Sequence, residues 1–249
     1  MLRDTLCPSW FSFWRMAIAE NIARVQERLA AAARRARRHP DAITLMGVSK
    51  TFPVEAIREA HAAGLRVFGE NRVQEFAEKA LGVSELVGAE WHLIGHLQSN
   101  KASKAAEIFH AVDAVDSLRL AEKLDAAANK LGKKLALLIE VNIGGETAKS
   151  GLAAGSAEFA QLLQAAERLE HLEIRGLMTI PPFTENPEDA RPFFRRLREL
   201  RDATAMRRLA RVRMETLSMG MSHDFEVAIE EGSTCVRVGT AIFGERERP

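Results

Sequence analysis

Lys50 stands inside GVSKTFP, where an apolar run, ITLMGVS (43–49), meets a polar loop. A lysine at the end of an apolar strand is unusual, because a buried ammonium is costly and burial lowers its pKa. A partly desolvated, neutral amine attacks an aldehyde or ketone and forms a Schiff base. The alternative is a lysine whose stem lies along apolar surface while its head reaches water. A second group with chemical potential lies in MSHDFEVAIEEGSTCVRVGTAIFG: Ser222, a predicted helix start at His223-Asp224, and the small residues Gly239-Thr240. Hydroxyls, free backbone N–H groups and glycines suit a phosphate. Turn-forming Gly220 and Gly239 with an N-capping Ser222 would explain the same residues without any ligand.

Positioning these groups requires a particular set of elements. Short runs rich in β-branched and apolar residues alternate with longer Ala/Glu/Lys/Arg/Leu segments of helical spacing. The strands predicted are ITLMGVS (43–49), RVFGE (66–70), EWHLIGH (90–96), HAVDAVDS (110–117), LALLIEVNI (135–143), LEIRGLMTI (172–180), METLSMG (214–220) and TCVRVGTAIF (234–243). Unbroken apolar runs such as LALLIEV suit strands buried on both faces of a parallel sheet. Eight βα units in a chain of 249 residues predict an α/β fold, a single (β/α)8 TIM barrel, with 17–38 as an extra N-terminal helix. The competing doubly wound sheet lacks a GxGxxG after its first strand. In a barrel, the site forms where strands end, at the C-terminal mouth. Strand ends read in order are Ser49-Lys50, Glu70-Asn71, His96, Asp116-Ser117, Asn142, Met178-Thr179, Ser218 to Ser222 and Arg237-x-Gly239-Thr240. Aldehyde capture at Lys50 beside phosphate capture at Ser222 and Thr240 describes pyridoxal 5′-phosphate (PLP).

The runs VSKTFPVEAIREAHAAGLRVFGENRVQE, EWHLIGHLQSNKASKA, VNIGGETAKSGL, IRGLMTIPP and LSMGMSHDFEVAIEEGSTCVRVGTAIFGER occur in that order. Over roughly residues 16–246 the chain resembles the pyridoxal phosphate homeostasis protein family, also called the YggS/PROSC family. That family has the barrel of the alanine racemase N-terminal domain, lacks the racemase's second, β-rich domain, and binds PLP as an internal aldimine. The resemblance implies that Lys50 carries the cofactor, that Ser222, Gly239 and Thr240 hold its phosphate, and that Arg237 faces the pyridine nitrogen. Asn71, His92, Asn142 and Met219 are implied neighbours of the ring. It also implies a role in buffering or delivering PLP, with influence on amino-acid and keto-acid balance and with apo PLP-dependent enzymes as partners.

Chemistry limits the reactions open to such a site. A guanidinium only donates hydrogen bonds and stays charged, so an Arg against the pyridine nitrogen keeps that nitrogen unprotonated and weakens the ring as an electron sink. Aminotransferase-type enzymes place a carboxylate there instead. Racemisation needs acid/base groups on both faces of the substrate carbon; alanine racemase uses the PLP lysine and a tyrosine, and this chain has no Tyr. The expectation is a PLP carrier without fast catalysis. The rivals are a PLP-dependent racemase or lyase with a non-tyrosine second base, and a cofactor-free Schiff-base aldolase using Lys50.

Composition sets the remaining bounds. Thirty-five Lys+Arg against thirty-four Asp+Glu leave a net charge of +1, so no global field recruits nucleic acid or an anionic membrane. Cys7 and Cys235 form neither a CxxC pair nor a disulfide framework, which fits a reducing cytoplasm. His92 and His96 have the i, i+4 spacing of metal ligands, yet on a strand and without a third ligand they predict no metal. The arginine groups at 34–38 and 195–201 read as solvated helix faces, and the less balanced Arg207, Arg208, Arg211 and Arg213 could touch an acidic partner. Residues 1–15, apolar around Trp10–Trp14 but broken by charges and Pro8, are expected to be a disordered extension or a mis-called start, with 16–249 forming the PLP-binding barrel. A monomer is expected.

Overall fold

The computed structural model describes residues 8–146 and 149–245, with side chains from Ala17 onward. Its strands are β1 (Thr44–Val48), β2 (Val67–Glu70), β3 (Glu90–Leu93), β4 (Ala111–Val115), β5 (Leu135–Asn142), β6 (Leu152–Ala153), β7 (Leu172–Met178), β8 (Val212–Met221) and β9 (Cys235–Val238). The helices are α1 (Pro8–Arg35), α2 (Val54–Ala62), α3 (Val73–Lys79), α4 (Ala102–Ile108), α5 (Leu118–Lys130), α6 (Ala157–Ala165), α7 (Arg191–Ala205), α8 (Phe225–Glu230) and α9 (Thr240–Phe243).

Eight strands pair in parallel in the order β4-β3-β2-β1-β9-β8-β7-β5, and a β4–β5 pairing closes the ring. The two-residue β6 is an extra strand, hung on the end of β5 at Val141 and Asn142. The predicted (β/α)8 barrel is therefore the fold. Two inner clusters, Met46/Val48/Ile94/Cys235 and Ala114/Leu138/Met178, fill its interior. The larger core lies between strands and helices, where Trp91 stacks on Phe68 with ring centres 4.9 Å apart and meets Phe76 at 4.8 Å. In α1, Ile18, Ile22, Val25, Leu29, Ala32 and Ala33 are buried at helical spacing, giving one apolar stripe that covers the barrel beside α8 and α9. Ser117 and Ser156 start α5 and α6 by accepting the backbone N–H groups of Leu120 and Phe159.

Two boundaries depart from the sequence reading. The run TCVRVGTAIF does not stay a strand: at Gly239 (φ −108°, ψ −80°) the backbone leaves the β region, and Ile242 and Phe243 bond back to the Gly239 carbonyl at 2.9 Å. The chain thus turns into α9, whose Ile242 carbonyl is capped by Asn21 of α1. The N-terminal helix begins at Pro8 rather than at 17. The expectation for residues 1–15 falls partly on residues 1–7 and on the side chains of 8–16, which lie outside the described residues.

Candidate functional site

Lys50 is half-buried in the turn that leaves β1, and its neighbours lock that turn. Ser49, fully buried, donates from Oγ to Glu70 Oε1 at 2.7 Å. Lys79 reaches in from the end of α3 and donates to the Ser49 carbonyl at 3.2 Å, to Glu75 at 2.7 Å and to Glu70 at 3.4 Å. Thr51 is held at φ +67°, a left-handed conformation costly for a β-branched residue, and its N–H donates to Glu75 Oε1 at 2.5 Å. Burial raises the Glu70 carboxyl above its ordinary pKa, opposed by Lys79 and the Ser49 hydroxyl. Phe52 then stacks on Phe243 of α9 at 5.0 Å.

That stacking points to what the sequence separates and the fold joins. Strands β1 and β9 are hydrogen-bonded neighbours, with Met46 opposite Arg237 and Gly47 opposite Val238. Lys50 and Gly239-Thr240 therefore leave adjacent strand ends at one mouth of the barrel. Ser222 comes from the end of β8, the next strand, and its Oγ accepts the Ala241 N–H of α9 at 3.4 Å. Gly220, just before this loop, lets α8 pack tightly on β8: at φ +94°, a Cβ there would lie 2.6 Å from Ala228 Cβ and 2.9 Å from Phe225 Cα. Asp224, buried and raised in pKa by that burial, accepts the Met221 N–H at 2.6 Å and shapes the loop bearing Ser222.

Arg237 lies inside the barrel, 3% exposed. Nη1 donates to Ser218 Oγ at 2.7 Å and Nη2 to the Thr179 carbonyl at 2.8 Å, while the Thr179 hydroxyl donates to the Val141 carbonyl. Burial lowers its pKa from the ordinary guanidinium value, and Cys235, Asp113, Asp224 and Glu140 oppose that shift. Cys235 is a buried free thiol whose pKa burial pushes up to about 12, which makes it unreactive. Asn71 follows β2 at the same mouth, with Gly95 packed so closely that a Cβ would sit 2.4 Å from the Asn71 carbonyl oxygen. Asn142 ends β5 and folds the next loop by donating to the Glu146 carbonyl at 2.8 Å and accepting the Glu146 N–H at 3.2 Å. His96 pairs with Asp116 at 2.9 Å.

Two residues expected at the ring are not brought to this mouth. Met219 follows the inward-facing Ser218 and is wholly buried in the strand–helix core; the register of β8 shifts before the half-buried Met221, which ends the strand opposite Arg237. His92 sits below the strand end and lines a cavity of about 610 Å³ at the opposite, N-terminal end of the barrel, together with Thr44, Glu90, Asp113 and Glu173. Its Nδ1 lies 3.0 Å from Asp113 Oδ2. Burial works against a charged imidazole, but Asp113, then Glu90, outweigh it and push the pKa up to about 10. Among the described residues, no group of three or more His, Cys, Asp or Glu is placed to hold a metal, and no helix is long and apolar enough to cross a membrane.

Comparison with known proteins places this chain in a family. Residues 17–247 match the model of the alanine racemase N-terminal domain. The pyridoxal phosphate homeostasis protein of Aquifex aeolicus is 47% identical over 232 residues, 93% of this chain and 100% of that protein. The chain belongs to the pyridoxal phosphate homeostasis protein family. PipY of Synechococcus elongatus, solved with PLP bound, is 38% identical with a TM-score of 0.79 over 91% of this chain and 100% of its own. Alanine racemase from Streptomyces coelicolor shares the fold at 20% identity and a TM-score of 0.67, over 93% of this chain but 59% of the enzyme.

Sequence reasoning misses the supports of this mouth. Glu75 and Lys79 gave no motif, because a helix-borne Glu and Lys four residues apart read as an ordinary surface ion pair. Asp224 was seen only as a helix start; Ser218 and Thr179 only as strand ends. Ser218 and Thr179 come within hydrogen-bond reach of Arg237 only once β7, β8 and β9 lie side by side.

Proposed function

We propose that this protein binds PLP at the C-terminal mouth of its barrel and serves PLP homeostasis by holding and releasing the cofactor, without fast turnover of its own. The observation that carries this reading is the adjacency of Lys50, just after β1, to Gly239-Thr240 after β9, with Ser222 across the same gap. The donor set fits the cofactor: an amine for its aldehyde, hydroxyls and backbone N–H groups for its phosphate, and a fixed cation for its ring nitrogen. When bound, PLP supplies an aldehyde that condenses with amines and a ring that withdraws electrons from the attached carbon.

The chain's own residues then determine how far that chemistry proceeds. Lys50 would hold the cofactor covalently, and the Glu70–Lys79–Glu75 clamp keeps its turn in place. Ser222 and Thr240 would bind the phosphate with the first N–H groups of α9. Arg237, which has only hydrogens to offer, would leave the ring nitrogen without a proton. No tyrosine is present to serve as a second base. Low turnover and reversible holding follow from these features, and they suit a monomeric cytoplasmic carrier that passes PLP to apo-enzymes.

Purified protein mixed with PLP tests the reading. A visible absorbance band, one equivalent bound, recovery of activity in a PLP-requiring apo-enzyme, and negligible turnover of D- and L-amino acids are expected. Turnover at rates typical of enzymes, about 1–1000 per second, would overturn the carrier reading. Failure to bind PLP, with aldehyde substrates condensing on Lys50 directly, would make the protein an aldolase.

A further inference from the structure

Glu140 is a buried acid that the barrel itself has no use for. It lies on β5, two positions below Asn142, in register with Met178 of β7 and 5% exposed. The neighbouring inner positions, Leu138, Ala114 and Met178, are apolar, so filling the interior does not require a carboxyl here. Ser150 donates to Oε1 at 2.8 Å. Oε2 is buried and has no hydrogen-bond partner among the described residues. Such an atom forfeits the hydration it had in the unfolded chain, and native structures rarely leave one unmatched.

The charged groups facing Glu140 are Asp116, Arg237 and His96, all toward the C-terminal mouth. Burial favours the protonated acid, the Ser150 bond opposes it, and Asp116 adds to burial. The orphaned Oε2 is left for a group that the mouth receives, and burial favours its carrying the proton. On the PLP reading, on which this inference rests, the phosphate belongs to the β8 and β9 ends. In PLP the phenolic oxygen and the phosphomethyl group stand on the two ring carbons that flank the aldehyde-bearing one, so a phosphate at the β8 and β9 ends leaves the phenolic oxygen to strands farther round the barrel, β5 among them.

We propose that Glu140 contacts the ligand, donating a hydrogen bond from Oε2 to the phenolic oxygen of bound PLP. The test uses the full chain and compares PLP with 3-deoxypyridoxal 5′-phosphate, which lacks that oxygen. In the wild type the preference for PLP should exceed that of Glu140→Leu by about 10-fold, the worth of one hydrogen bond to a charged acceptor. Glu140→Gln, which keeps a donor, should retain most of the preference. A lost packing contact would weaken both ligands equally and leave the preference unchanged. Because the acid loses its donor on ionisation, the ratio of wild-type to Glu140→Gln affinity for PLP should fall as pH rises, whereas a ratio flat in pH overturns the proposal. So does an equal preference in all three proteins. If wild-type protein binds neither compound, the PLP reading itself fails, a result distinct from PLP binding that is indifferent to Glu140.

Discussion

Lys79 Nζ lies 3.2 Å from the carbonyl oxygen of Ser49, the residue before Lys50. The same ammonium neutralises Glu70, which is wholly buried. Removing it strands a buried carboxylate, so Lys79→Met should lose about 3 kcal/mol of folding stability. The Glu70 pKa is already raised on folding, and without Lys79 it rises further. A group that binds its proton more tightly when folded costs least below its ordinary pKa and most above its folded pKa. The deficit in urea unfolding should therefore be smallest near pH 4, below the ordinary carboxyl pKa, and grow as pH rises. A deficit independent of pH would mean that Lys79 acts through packing alone.

Borohydride reduction of protein loaded with PLP, followed by peptide mass mapping, should place the phosphopyridoxyl group on Lys50. Reproducible labelling of Lys101 or Lys149 with Lys50 untouched would move the site.

Ser222→Ala and Thr240→Val should weaken PLP binding by about 10- to 100-fold each, one charge-assisted hydrogen bond being worth roughly 1.5–3 kcal/mol. Phosphate-free pyridoxal should hardly notice either change. Equal losses for both compounds, measured by equilibrium titration, would put the phosphate elsewhere.

His92 offers a pH signature remote from the mouth. Its folded pKa of about 10 lies above the ordinary 6.5, so its pairing with Asp113 stabilises fully below that ordinary value and the contribution is lost as pH rises through about 10. The stability gap between wild type and His92→Gln should be widest near pH 6 and narrow toward pH 10. PLP affinity should stay within about two-fold, because His92 lines the cavity at the other end of the barrel. A large loss of PLP would return His92 to the cofactor site.

Arg237 separates a carrier from an enzyme. In Arg237→Glu, a carboxylate beside the ring nitrogen would favour its protonation and strengthen the ring as an electron sink. Provided the variant still holds PLP, keto-acid release from L-alanine should rise above the wild-type level. No change in a PLP-loaded variant would show that the ring nitrogen is not governed from this position.

Much of this protein was written in local order along the chain. Strands such as β5 are near-continuous apolar runs because both faces are buried, and the alternation with amphipathic helices leaves few folds besides a barrel. Lys50, Ser222, Arg237 and Thr240 could be picked out because each is polar at the end of an apolar run, and that holds wherever the strands later pack. The pairing of β1 with β9 is another matter. It joins residues 44–47 to 235–238, and only ring closure brings them together. The direction of individual side chains was equally hidden. His92 and Met219 are near strand ends in sequence, but pleat and strand length send one toward the floor of the barrel and the other out to the helices. The run after Val238 reads as β-prone, yet Gly239 and the packing of Phe243 on Phe52 turn it into α9. Glu140 reads in sequence as one polar residue in an apolar strand, and only the tertiary structure shows its Oε2 buried without a hydrogen-bond partner among the described residues.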